Sequence, residues 1–117
     1  MINAAMLKVI QDCGEGVLVL TEGIEETELL HSRLTRAEVR RQLALMASTL
    51  AALPQAARAA MPELDWAAWR ATELALDAAA SAQAEALWFA VRSLVPATLN
   101  WLHVYRQEQP GWFAFRP

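Results

Sequence analysis

Cysteine is nearly absent: Cys13 stands alone among 117 residues, which excludes an internal disulfide and any metal site built from several thiolates. A lone thiol fits a reducing interior, so the cytoplasm is the expected compartment. Glycine and proline are scarce, with 4 and 5 residues, too few for a linker or a low-complexity chain. No charge of one sign prevails. Thirteen acids face 10 bases for a net charge of -3, so no global field draws the chain to nucleic acid or an anionic membrane, and neither is an expected partner. The two histidines, His31 and His103, have no Cys, Asp or Glu at metal-ligand spacing, so no metal is expected. A Gly-rich phosphate loop is missing, and no cofactor is expected. The most apolar stretch, Leu74 to Val95, is broken by Asp77, Ser81, Gln83, Glu85 and Arg92, groups that a bilayer core penalises. The start shows no basic segment followed by an apolar block, so no secretory signal is expected.

What is present is alanine and leucine in helical rhythm. Length sets one domain over residues 1–117, with 107–117 as an irregular aromatic tail. Ile2, Met6, Val9, Ile10, Cys13, Val17 and Leu20 recur at three and four and predict a first amphipathic helix. Gly23 suits the left-handed residue that closes it near Glu22, with Ile24 folding back. Ile24 to Leu34 reads as a connector with one helical turn. Thr35-Arg36-Ala37-Glu38 has the capping-box spacing, so a second helix is expected from Thr35, with Val39, Leu43, Met46, Leu50 and Leu53 inside. Pro54 weakens or kinks it, and a continuation reaches about Ala60. Asp65 is the expected cap of a third helix carrying Trp66, Trp69, Leu74 and Leu76. Ser81 is the expected cap of a fourth, from Gln83 to about Tyr105, which bends at Pro96. The fold class that follows is all-α, an antiparallel four-helix bundle with a short helical turn between helices one and two.

The fourth helix carries two apolar stripes, Leu87-Val91-Leu94-Trp101-Tyr105 and Trp88-Val95-Leu99-Leu102, one more than a single packing partner requires. The second is the expected subunit interface of a homodimer. In the tail, Trp112, Phe113 and Phe115 follow a Pro110-Gly111 turn and should dock on something. Cys13 lies on an apolar stripe and reads as a small buried hydrophobe. Residues 1–28 sum to -5 and residues 29–60 to +4. Arg33, Arg36 and Arg40 can grip phosphates or an acidic partner, or simply form a solvated face paired with the acidic connector. Trp66, Trp69, Trp88 and Trp101 read as core or interface.

In order, these features resemble the HepT-like proteins of the HEPN superfamily, over about residues 5 to 106. The likeness rests on Glu25 to Leu30, on Thr35-Arg36-Ala37-Glu38-Val39, on Met61-Pro62-Glu63-Leu64-Asp65-Trp66, and on Leu87-Trp88 followed by Leu94-Val95-Pro96. It implies a dimeric helical bundle, often the ribonuclease toxin of a pair whose antidote is a minimal nucleotidyltransferase. Active relatives carry Arg-x-x-x-x-His-x-Tyr on the helix led by that Trp. Aligned on Trp66, the Arg falls at Glu73, the following polar residue at Leu74, the His at Ala78 and the Tyr at Ala80. Phosphodiester cleavage needs a proton-transfer group and a cation for the developing charge, and alanine supplies neither. His103-Val104-Tyr105 has Thr98 where the Arg would stand. The expectation is a catalytically inactive HepT-like protein, a dimeric binding or regulatory module partnered with a minimal nucleotidyltransferase or an active HepT-like relative. The alternatives are an active ribonuclease toxin and a small-molecule-binding helical bundle.

Overall fold

A computed structural model describes residues 4–114, so Ile2 and Phe115 of the sequence reading lie outside the described residues. Every regular element among them is helical: α1 (Ala4–Leu20), α2 (Glu26–His31), α3 (Arg33–Ala52), α4 (Gln55–Ala60), α5 (Trp66–Leu76), α6 (Ala80–Phe89), a π-helical segment (Ala90–Leu94), α7 (Val95–Glu108) and a 3-10 turn (Pro110–Phe113). α1 packs along α3 and α7, and α3 also packs on α5. Leu7, Ile10 and Val17 of α1 meet Val39, Leu43, Met46 and Leu50 of α3 in one buried core.

α1 closes as expected. Thr21 N–H and its hydroxyl both donate to the Val17 carbonyl, at 3.1 and 2.7 Å, and Gly23 takes φ 71°, a backbone state that costs residues with a Cβ. The next boundary differs. α3 begins at Arg33, so Thr35 is already inside the helix and the expected capping box does not form. Only Ser32, itself extended, separates α2 from α3. Its carbonyl accepts from Arg36 N–H at 2.8 Å and its hydroxyl donates to Thr35 Oγ1 at 2.9 Å. The Glu38 carboxylate, needed for the box, is held by Arg41 and Gln42 at 2.6 and 2.9 Å. Those bonds keep it below the ordinary carboxylate pKa.

Pro54 breaks the second helix outright rather than kinking it, because the residue before a proline is driven out of the helical region. Leu53 sits at φ -61°, ψ 143°, and α4 starts afresh. Asp65 caps α5 as expected, accepting from Ala68 N–H at 3.0 Å. The fourth helix starts at Ala80, and neither Ser81 nor any other side chain caps it. Gln83 instead reaches back to donate to the Leu76 carbonyl at 2.7 Å, closing the end of α5. The helix runs through Pro96, where a wide π-helical turn directly precedes the proline. The wide turn comes where Pro96 brings no N–H to the helical ladder and its ring crowds the preceding turn.

The second stripe of this long helix is not a free face. Val95 is 0% and Leu102 2% exposed, both inside the chain's own core, and Leu99 lies over Gly14 of α1. Trp88 is half-buried, with the Arg92 guanidinium 5.6 Å from its ring. Gly14, with no Cβ, lets Leu99 of α7 come close to α1. The 3-10 turn docks on α1 and α7, with Trp112 6.0 Å from the Tyr105 ring and Arg106 over Phe113.

Candidate functional site

α5 carries Trp66, Trp69, Arg70 and Glu73 at positions i, i+3, i+4 and i+7, one face of a helix. That face looks at the end of α3, where Ala47, Leu50 and Ala51 stand, while α4 brings Arg58 alongside. Together these residues line a cleft of about 160 Å³. Small side chains on α3 leave it open. Trp69 forms its floor: the indole is buried and donates to Thr98 Oγ1 at 2.9 Å, and Thr98 in turn donates to the Leu94 carbonyl at 2.7 Å. Trp66 is half-buried, its indole N–H on the Met61 carbonyl at 3.0 Å, with the Arg58 guanidinium 5.5 Å from its ring centre.

The charges in the cleft are two guanidiniums and one carboxylate. Among the described residues the ion pairs are Lys8–Asp12, Arg41–Glu38 and Arg40–Asp77; Arg58, Arg70 and Glu73 join none of them. The sequence reading did not pick out Arg58 or the cleft. The spacing of Trp66, Arg70 and Glu73 was visible, but the turn between α4 and α5 that sets Arg58 over Trp66 carries no motif that announces the contact.

The four positions aligned with the Arg-x-x-x-x-His-x-Tyr motif do not share a helix. Glu73 is half-buried in the cleft and Leu74 points outward, but α5 ends at Leu76, so Ala78 lies in the break and Ala80 opens α6. Nor do His103 and Tyr105 form a pair. His103 is exposed beside Gln11, Glu15 and Arg106 in a hollow of about 130 Å³, whereas Tyr105 is buried and its hydroxyl donates to Glu63. Burial, and then the Glu63 carboxylate, push that phenol well above its ordinary pKa. Cys13 is buried and its thiol is likewise raised, chiefly by burial.

The Arg33-Arg36-Arg40 run is divided. Arg40 bonds the Leu76 carbonyl at 3.2 Å and Asp77 at 2.7 Å, tying α3 to the end of α5; Arg36 donates to the Leu30 carbonyl at 3.3 Å; Arg33 is exposed. The pairing expected with the acidic connector is therefore made to a carbonyl and to a different loop, not to its carboxylates. Among the described residues no three His, Cys, Asp or Glu side chains gather as metal ligands do, and no helix is long and apolar enough to cross a membrane. No known protein family, curated protein or solved structure matches the chain.

Proposed function

We propose that this chain is a non-catalytic binding module of the HepT-like, HEPN type: α1, α3, α5 and the α6–α7 rod form an antiparallel four-helix bundle that works by association. The partners in this reading are a second copy and a minimal nucleotidyltransferase or an active HepT-like relative, in the setting of a toxin–antitoxin pair. The observation that carries it is the break at 77–79. The positions aligned with the proton-transfer group and the phenol, Ala78 and Ala80, carry no such group, and α5 ends before both of them at Leu76. Glu73 at the first position supplies no cation for the developing charge.

A surface for the second copy lies elsewhere than on α7. Met6, Val9, Leu45, Thr49 and Ala52 border an open, largely apolar groove of about 440 Å³ between α1 and α3, with Val9 37% and Leu45 43% exposed. The test of the functional reading is direct. Purified protein incubated with total RNA should leave it intact, and co-expressed minimal nucleotidyltransferase should co-purify with it. RNA cleavage that disappears in Arg70→Gln or His103→Gln overturns the non-catalytic reading.

A further inference from the structure

The cleft on α5 combines features that a merely structural gap does not need. Arg58 and Arg70 come from different helices, line the same space, and make no ion pair among the described residues. Guanidiniums beside apolar walls are poorly hydrated and bind oxyanions through paired N–H donors. The half-buried Trp66 supplies an apolar wall, and Ala51 on the facing helix leaves the volume unfilled. A space of about 160 Å³ holds roughly five waters at about 30 Å³ each, the size of a small organic molecule rather than a nucleic-acid strand. Glu73 adds one acceptor, which suits a hydroxyl or amine next to the charged end.

We propose that this cleft binds a small organic oxyanion, a carboxylate or phosphate monoester on an apolar or aromatic body, with its charged end between Arg58 and Arg70 and its body against Trp66. The site requires no catalytic step and holds whether or not the chain has protein partners.

The test is calorimetric titration of the full chain at low ionic strength with phenyl phosphate, benzoate and inorganic phosphate in separate arms. Saturable one-site binding of phenyl phosphate or benzoate is expected, tighter than that of inorganic phosphate, and which of the two binds tighter assigns the oxyanion. Arg70→Gln, at an exposed position, should weaken it about tenfold or more, the worth of one charge-assisted hydrogen bond. Arg58→Gln should do the same. Ala51→Leu, at an exposed helical site where the swap barely changes helix propensity, should abolish binding while circular dichroism stays unchanged. No saturable heat from any of the three probes overturns the proposal, as does binding that survives Arg70→Gln and Ala51→Leu unaltered. Inorganic phosphate binding as tightly as phenyl phosphate overturns the role of the apolar wall.

Discussion

At the scale of single residues, buried polar groups decide more than their number suggests. Trp69 and Thr98 are both buried, and the Thr98 hydroxyl serves two partners at once, accepting from the indole and donating to Leu94. Thr98→Val keeps the shape but leaves the indole N–H unpaired, a cost of about 1–3 kcal/mol. Urea denaturation should show a loss of that size, whereas Thr98→Ser should keep most of the stability; a larger loss in Thr98→Ser than in Thr98→Val would place the effect in the methyl group instead. Tyr105 makes a second case, and as the chain's single tyrosine it can be followed alone. Its phenol is raised above the ordinary value by burial and by Glu63. A folded pKa above the unfolded one means that the stabilisation is full below about pH 10, the unfolded value, and is lost as pH rises beyond it, because only the unfolded chain releases the proton. The urea midpoint should therefore fall as pH rises from 9 to 11, with a smaller fall in Tyr105→Phe, and tyrosinate absorbance should rise late in the folded protein.

Among the elements, the contact of α1 with α7 turns on one missing Cβ. An ideal Cβ on Gly14 would lie 2.8 Å from Leu99 Cδ2 and 3.1 Å from its Cγ, closer than carbon atoms tolerate. Against this, Gly→Ala inside a helix gains about 1 kcal/mol of propensity, and overpacking a core contact costs about 1–3 kcal/mol. Gly14→Ala should thus destabilise the protein, yet stabilise it by about 1 kcal/mol when Leu99→Ala has cleared the space. That change of sign, read as a non-additive double-mutant cycle, is the signature of direct packing; a stabilising Gly14→Ala in the parent chain would refute it. Much at this scale was legible beforehand, because apolar periodicity and caps are local: the inner face of α3, the Gly23 closure, the Asp65 cap and the passage through Pro96 were all readable. What was not legible depended on competition between neighbours. Ser32 and Thr35 are both good helix starters, and the choice between them goes with the bond of Arg36 to the Leu30 carbonyl, present only once α2 is in place, and with the capture of Glu38 by Arg41 and Gln42. The π-helical turn at Ala90–Leu94 left no mark in the pattern of apolar residues.

For the molecule as a whole, the α6–α7 rod sets the shape. Helical from residue 80 to 108, it spans about 43 Å at 1.5 Å per residue, close to the 42 Å long axis. So long a rod carries more apolar side chains than one neighbour can cover, and sequence periodicity could not tell a second neighbour in the same chain from a second subunit. Here α1 and the 3-10 turn are that neighbour. The candidate cleft was half legible: the α5 side of it lies on one helix, while Arg58 reaches it from α4 across the turn before Trp66. The consequence for association is a pair of substitutions with opposite fates. Val95→Asp places a charge at a fully buried position, costing several kcal/mol, so it should unfold the chain rather than release a folded monomer. Leu45→Lys, on the rim of the α1–α3 groove and already partly solvated, should leave circular dichroism unchanged. If a second copy seats on that groove, as proposed, light scattering should read twice 13.0 kDa for the parent chain and 13.0 kDa for Leu45→Lys. A folded, monomeric Val95→Asp would return the interface to α7, and a dimer untouched by Leu45→Lys would remove it from the groove.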